Sequence, residues 1–330
     1  MMATLALYAQ ETTDSIQKWS AGRPDGHAPI SVMGDHMHGK GEWMLSYRYM
    51  YMNMGDLKQG SDDASFADAL EDYMVTPTEM PMNMHMVGAM YAPSDKITIM
   101  AMFNYLSMEM DHLTRMGGTF STESNGFGDI QLSGIYRFFN RNRQSVHAQV
   151  GVSIPTGSIT ESDVIPASAP NEVELPYPMQ IGSGTFDTNL ALTYLGQTDQ
   201  ISWGGQLRAI LRFGENDRDF RYGNRQNLTG WFAVKAADWL SFSTRLEALV
   251  VGEIDGADPN LNPMMVITAD TANSGGNFLN GGLGFNVYIP KGALKNLRFG
   301  FEFATPLYQD LNGLQLKQKE TLTFGTQYAF

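Results

Sequence analysis

Residues 297–304 read LRFGFEFA, and every second side chain in this stretch is large and apolar. The odd positions carry leucine and three phenylalanines, whereas the even positions carry arginine, glycine, glutamate and alanine. An alternation with a period of two is typical of a β-strand with one apolar and one polar face. The same pattern recurs in 41–54, 145–154 and 239–251, so it describes the whole chain and not one strand.

Twelve stretches of this kind follow one another, at 41–54, 80–92, 97–112, 126–139, 145–154, 183–195, 201–213, 224–236, 239–251, 276–289, 297–308 and 316–330. Most are longer than the usual soluble strand of about 5–6 residues and long enough for the 9–11 or so that a tilted bilayer crossing needs. Short and long connections alternate. This predicts an all-β fold: a transmembrane antiparallel β-barrel of about twelve strands, with short periplasmic turns and longer extracellular loops. A soluble β-sandwich would also alternate, but with shorter strands.

Composition excludes several other classes. The 330 residues contain no cysteine and carry a net charge of −13, which argues against thiolate metal sites and nucleic-acid partners. No run of 18 apolar residues predicts a transmembrane helix. We expect no enzyme activity, because candidates such as Asp111 and His112 are only neighbours in sequence and would point to opposite faces of a strand.

We divide the chain into an N-terminal periplasmic segment, 1–40, and a barrel, 41–330. The stretch Met1–Ala9 is apolar and lacks a basic start, so it is either the remnant of a signal peptide or an ordinary N-terminus. An even number of strands places both termini on the periplasmic side of the outer membrane of a Gram-negative-type envelope.

The chain ends TLTFGTQYAF, with Phe330 as its last residue. This end resembles the C-terminal strand signature that bacterial outer-membrane proteins present to their barrel assembly machinery. The resemblance implies that machinery, and outer-membrane lipid, as partners.

Several motifs carry a family resemblance: GFGDIQLSGIYRFF at 126–139, GVSIPTGS at 151–158, GSGTFD at 182–187 and the stretch 284–316. They resemble the outer-membrane barrel family named for the MetA pathway of phenol degradation, over about 126–330. The family is thought to move small molecules across the outer membrane. MGDHMHGKGEWMLSYRYM at 33–50 is similar to a methionine- and histidine-rich branch of such transporters. That branch departs from the common pattern, so phenol is not implied as cargo.

Nineteen of the 22 methionines lie within the first 116 residues. In the first three predicted strands they fall on even positions, opposite the aromatic face, so they should face the lumen. Antiparallel neighbours place such side chains about 5 Å apart. Thioether sulfur is a soft, uncharged ligand that favours Cu(I) and Ag(I). Methionine also fills irregular space and binds apolar molecules, which leaves apolar cargo and simple packing as alternatives.

Five of the six histidines precede residue 113, and the cluster MGDHMH lies just before the first strand. His85 has the parity of the lipid face and His147 reads as a lone polar lumen residue. The candidate metal ligands are Met50, Met52, Met54, Met80, Met82, Met84, Met86, Met108, Met110, His112, Met33, His36, Met37 and His38. No resident cofactor is expected, because Cu(I) or Ag(I) would be cargo.

The polar lumen positions form a set of mixed charge: Asp129, Arg137, Asp187, Arg208, Arg212, Arg245, Glu247, Arg298 and Glu302. They form either a selectivity lining or a set of pairs that close the barrel. The acidic loop 55–79 either gathers cations or is simply solvated. We therefore expect a barrel that binds or conducts a small solute, first of all a soft metal ion. The alternatives are an uptake channel for hydrophobic or aromatic molecules and a closed structural barrel or subunit of an envelope complex with an unknown periplasmic partner.

Overall fold

The structure, a computed structural model, describes residues 18–330, so the predicted signal-peptide remnant lies outside the described residues. Its strands in chain order are β1 (Trp43–Gly60), β2 (Asp62–Ala64), β3 (Val75–Ser94), β4 (Ile97–Thr114), β5 (Thr119–Phe127), β6 (Ile130–Arg141), β7 (Gln144–Ile154), β8 (Ser162–Val164), β9 (Glu172–Glu174), β10 (Asp187–Gln197), β11 (Ile201–Arg212), β12 (Phe220–Arg221), β13 (Arg225–Ala237), β14 (Leu240–Val251), β15 (Asp255–Gly256), β16 (Gly276–Tyr288) and β17 (Leu297–Ala329). Helix α1 (Phe66–Asp72) and the 3₁₀ turns Tyr177–Met179 and Ile267–Ala269 complete the elements.

Eleven of these strands pair with their neighbours in sequence order, from β1 through β3, β4, β6, β7, β10, β11, β13, β14 and β16 to β17. Strand β17 then pairs with β1, which closes the sheet into a barrel. Closure leaves no unpaired edge among these strands, which is the condition for crossing a bilayer with β-structure. The predicted antiparallel β-barrel fold is therefore confirmed.

The twelfth crossing is hidden within β17. Its residues 298–311 pair antiparallel with β16, and its residues 311–329 pair antiparallel with β1. Nine antiparallel steps separate β1 from β16, so those two strands run in opposite directions, and the two halves of β17 must do the same. The chain reverses next to Gly313, whose φ of 63° suits a residue without a Cβ.

Two predicted loops contain more β-structure than expected. Most of 113–125 belongs to β5, which forms a hairpin with β4, and 55–79 contains the end of β1, β2 and α1. Helix α1 begins at a capping box in which Ser65 and Asp68 each accept from the other's backbone N–H. These extensions carry the wall beyond the apolar belt.

The two faces of the wall differ as the alternation predicts. In β1, Leu45 and Tyr47 are 51% and 41% exposed, whereas Ser46 and Arg48 are 8% and 7% exposed. An outward face of exposed leucine and aromatic side chains matches hydrocarbon, because a water-facing surface would leave a large apolar area unburied. Among the described residues no helix has the length and apolar character to span a membrane.

Residues 19–38, the inner segment, run through one end of the lumen. Ala28 and Ile30 are each only 1% exposed. Side chains of the wall bond its carbonyl oxygens: Arg48 Nε donates to Ile30 O, Arg298 to Ala28 O, His147 Nε2 to Gly34 O, Gln206 to Met33 O, Ser202 to Asp25 O and Ser241 to Pro24 O. Residues 19–38 are thus packed inside one end of the barrel.

A second segment, the folded-in loop (residues 155–186), enters from the opposite end. Its Leu175, Met179 and Ile181 are buried, with exposures of 2%, 0% and 7%. Ser124 Oγ of the wall donates to Met179 O at 2.7 Å, and Tyr222 OH donates to Tyr177 O at 2.7 Å. The lumen therefore lies between this loop and the inner segment.

Candidate functional site in the barrel lumen

The methionines of β1, β3 and β4 lie side by side on the inner face. Register pairs Met50 with Met84, Met52 with Met82 and Met54 with Met80, and it pairs Met82 with Met108 on the next strand. We call these seven the methionine wall: Met50, Met52, Met54, Met80, Met82, Met84 and Met108. They belong to one apolar cluster, so the predicted inward ladder is present.

The other predicted ligands on these strands lie apart from the open lumen. Met110 is fully buried beneath Leu175 and Met179 of the folded-in loop. His112 stacks on Phe120 with ring centroids 4.6 Å apart and lines a separate loop cavity of about 200 Å³. Met86 continues the parity of the wall but is neither in the cluster nor in the cavities described below. His85 is exposed on the outer face, where Tyr47 bonds it, as its parity predicts.

A cavity of about 360 Å³, the central cavity, separates the inner segment from the methionine wall. Met50, Met52, Met82 and Met84 line one side of it. The opposite side carries charges: Arg208, Arg225, Arg245, Glu247 and Glu302. A second cavity of about 490 Å³ continues past Met52 and Met82 toward the folded-in loop. The lumen thus has one apolar, polarizable side and one charged side.

Most predicted polar lumen residues are paired. Arg245 bridges Glu302 at 2.6 Å and Glu247 at 3.0 Å, and Arg212 contacts Asp187 at 3.1 Å. Arg298 donates hydrogen bonds to Ala28 O, Gln327 and Asn286.

Two further members of that set, Asp129 and Arg137, lie near the segments that fill the two ends of the lumen. Asp129 accepts from the backbone of Gly157 and from Ser183, which anchors the folded-in loop. Arg137 lies toward the inner segment, and its Nε has no hydrogen-bond partner among the described residues. Most of the set therefore follows the closing-pair interpretation and does not form a free lining.

Arg208 and Arg225 are the exceptions. Among the described residues neither guanidinium has an ion pair or a hydrogen bond, and both line the central cavity. They are neighbours in the sheet, since Arg208 pairs with Asn227 and Ile210 with Arg225. Of the five charges on the cavity, three are positive and two negative, and the negative ones are already paired with Arg245. The available charge is therefore positive.

The inner segment gathers the remaining predicted ligands. His36 Nδ1 lies 2.9 Å from Asp35 Oδ1, and the rings of His27 and His38 lie 4.2 Å and 4.9 Å from that of His36. Burial lowers the pKa of His38 to about 3, and burial together with Arg298 and His36 holds the pKa of His27 well below its ordinary value. Burial alone would raise the pKa of Asp35, but His36 and His27 lower it. The imidazoles of His27 and His38 are therefore neutral, and they lie near the carboxylate of Asp35.

The predicted Met33 and Met37 separate here. Met33 faces the central cavity, whereas Met37 packs with Met44, Met90 and Met100 of the wall.

Solved structures of other proteins share this architecture. The chain has the fold of a bacterial outer-membrane β-barrel. A crystal structure of an outer membrane channel from Pseudomonas putida F1 is similar with a TM-score of 0.63 and 14% identity, over 91% of this chain and 100% of that one. The translocator domain of the autotransporter NalP from Neisseria meningitidis is similar with a TM-score of 0.46 and 13% identity, over 90% of this chain and 91% of that one. A Pseudomonas aeruginosa FadL homologue has a TM-score of 0.45 and 8% identity, over 95% of this chain and 98% of that one.

No protein-family model matches the chain, and no curated protein matches it significantly. At these identities the likeness to solved structures concerns the fold. It confirms the outer-membrane barrel part of the resemblance found in the sequence, whereas membership of a methionine- and histidine-rich branch stays a prediction.

Sequence reasoning missed three residues of the site. Arg225 begins a strand and carries the right parity, but its lack of a partner is a tertiary fact. His27 lies in a stretch without periodicity, so only the fold brings it to His36. Asp35 is the sequence neighbour of His36 in the cluster MGDHMH, but the pattern did not mark it as a ligand.

Proposed function

We propose that this protein is an outer-membrane channel for small solutes and that its preferred solute combines an apolar body with one anionic group. The observation that carries the proposal is the pair Arg208 and Arg225, opposite the methionine wall across the central cavity. Neither has an ion pair or a hydrogen bond within residues 18–330. The similar Pseudomonas putida F1 structure is that of an outer membrane channel, which supports the general class.

The chemistry of the two sides decides the solute class. Guanidinium groups bind carboxylates through paired, charge-assisted hydrogen bonds. Methionine side chains are flexible and polarizable, so a wall built of them adapts to apolar bodies of different shape. A volume of about 360 Å³ suits a single small molecule. Among the hydrophobic or aromatic molecules expected as cargo, the two sides of the cavity therefore favour those that carry an acidic group.

A soft metal ion is the second candidate, because the thioethers of Met33, Met50, Met52, Met82 and Met84 face the same cavity. Thioether sulfur favours Cu(I) and Ag(I). Its weakness is electrostatic. Arg208 and Arg225 would repel a cation at the wall, and the glutamates nearby are engaged by Arg245. We therefore rank the amphipathic anion above the ion for the central cavity.

An outer-membrane location, with both termini on the periplasmic side, is part of the proposal. The exposed apolar belt supports it. So does the closed sheet, because Phe330 and Trp43 exchange two backbone hydrogen bonds of 2.9 Å at the seam of the barrel. A C-terminal strand that closes the seam fits recognition by a barrel assembly machinery.

Binding of 3-phenylpropanoate and of its uncharged amide tests the solute class. The purified protein in detergent should bind the carboxylate at least tenfold more tightly than the amide. The Arg208→Gln/Arg225→Gln variant should lose about tenfold to a hundredfold for the carboxylate only, since a hydrogen bond to a charged group contributes about 1.5–3 kcal/mol. Arg221→Gln, which removes an arginine paired with Asp255 in a loop, is the matched control.

Two results would contradict the proposal. An equal loss of affinity for the carboxylate and for the amide would mean that the arginines do not distinguish a charged solute from a neutral one. Stoichiometric Ag(I) binding that disappears when Met50, Met52, Met82 and Met84 are replaced by leucine, with weak carboxylate binding, would establish the second candidate instead.

A further inference from the structure

A small void lies at the inner end of the lumen, away from the central cavity. It has a volume of about 10 Å³ and is bounded by Asp35 and His36 of the inner segment and by Met44, Met90 and Met100 of β1, β3 and β4. A space of this size admits a single atom or water molecule. Protein interiors are otherwise close-packed, so a void lined by one imidazole and several thioethers calls for an explanation.

His36 is prepared as a ligand. It is 1% exposed, and its Nδ1 lies 2.9 Å from Asp35 Oδ1, so Nδ1–H donates to the carboxylate. In the neutral imidazole that hydrogen bond leaves the lone pair on Nε2, and Nε2 has no hydrogen-bond partner among the described residues. A carboxylate that fixes the tautomer of a histidine from behind is the usual support of a metal-ligating imidazole. An unpartnered buried nitrogen is otherwise destabilising.

The other side of the void consists of sulfur. Met44, Met90 and Met100 are 3%, 4% and 7% exposed, and they pack together with Met37 of the inner segment. Their three strands are neighbours in the barrel, which is why their side chains converge. Thioether and imidazole together form a soft, neutral donor set.

Charge around the void selects the oxidation state. Arg48 and Asp35 both line it, and Arg48 Nε donates to Ile30 O at 2.9 Å, so one guanidinium and one carboxylate border the space. The carboxylate of Asp35 and the guanidinium of Arg48 offset each other, and the other donors are neutral. An ion in the void therefore meets no net negative charge, and a doubly charged ion costs more to bury there than a singly charged one. A singly charged ion therefore fits better than a divalent one.

We propose that this void binds one soft monovalent ion, Cu(I) or Ag(I), through His36 Nε2 and thioethers of Met44, Met90 and Met100. The ion would join the inner segment to three strands of the wall and so hold that segment inside the lumen. The site is separate from the central cavity and does not depend on which solute the channel takes.

Metal binding to the full-length protein tests the site. Ag(I), and Cu(I) under anaerobic reducing conditions, are added to protein folded in detergent, and the retained metal is counted after desalting. We expect one ion per chain, with nitrogen and sulfur in its first shell by X-ray absorption. His36→Asn keeps a donor for Asp35 but lacks Nε2, and Met44→Leu/Met90→Leu/Met100→Leu keeps the packing. Each should weaken binding at least tenfold.

The control is the leucine variant of Met50, Met52, Met82 and Met84, which should retain the ion. Circular dichroism and heat-dependent gel mobility verify that every variant is folded. Retention by His36→Asn, a first shell of sulfur alone, loss only in the control variant, or no bound ion at all would each overturn the proposal. So would tight Zn(II) binding that depends on His27, because it would assign the metal to His27, Asp35 and His36, whose ligand atoms lie within 4.8 Å of one another.

Discussion

The hydrogen bonds that hold the inner segment give a direct handle on opening of the barrel. Ser202, Gln206 and Ser241 each donate a side-chain hydrogen bond to a carbonyl oxygen of that segment. The triple variant Ser202→Ala/Gln206→Leu/Ser241→Ala removes all three bonds and leaves the wall strands intact. We expect the inner segment to leave the lumen more often in this variant.

The magnitude follows from the bonds that are lost. A neutral hydrogen bond contributes about 1 kcal/mol net, so three of them contribute about 3 kcal/mol. Since about 1.4 kcal/mol corresponds to a factor of ten, the population with the segment released should rise about a hundredfold. The gain is limited because the stronger contacts from Arg48 and Arg298 remain.

Single-channel recording in planar bilayers measures this population as open probability. The control is Ser153→Ala/Ser243→Ala, because both serines are buried on the inner face and neither bonds the inner segment. The triple variant should open about a hundred times more often than wild type or control. An open probability equal to that of the control would refute the assignment of the inner segment as the closing element.

Three further changes probe other parts of the lumen. Arg245→Leu leaves Glu302 buried without its cation and should cost about 3–5 kcal/mol, read as a lower urea midpoint, while adding Glu302→Gln restores most of the loss. Met179→Ala removes a fully buried side chain and should loosen only the folded-in loop, by about 2–5 kcal/mol, seen as faster proteolysis within 155–186 at an unchanged barrel melting temperature. Gly325→Val would place a Cβ 2.7 Å from Cγ1 of Ile30 and should expel the inner segment, so that conductance rises; an unchanged closed state would contradict the seating of Ile30.

Strand positions were predictable to within a few residues wherever lipid faces the chain. The predicted strand 276–289 is β16, Gly276–Tyr288, and 239–251 is β14, Leu240–Val251. Hydrocarbon outside and water inside impose an alternation that is visible locally. Beyond the belt that constraint ends, which is why β5, with the sequence TFSTESNGF, was predicted as a loop.

The methionine register was predictable for the same reason. Parity and antiparallel order suffice to place Met50 beside Met84 and Met52 beside Met82. The surroundings of those sulfur atoms were not predictable, because Leu175 and Met179 come from a loop whose sequence has no periodic pattern.

The sequence by itself determined the wall: a closed antiparallel barrel, its outward and inward faces, and a methionine ladder on the inner one. These follow from a two-residue period, which each strand carries in its own residues. Only the tertiary structure decided the contents of the lumen: the inner segment that fills one end, the two arginines that have no partner in the described part of the chain, and the meeting of His36 with Met44, Met90 and Met100. Those contacts join irregular segments to distant strands, and the physical reason they escape sequence reasoning is that pairing and burial of such groups depend on which side chains the closed barrel brings together.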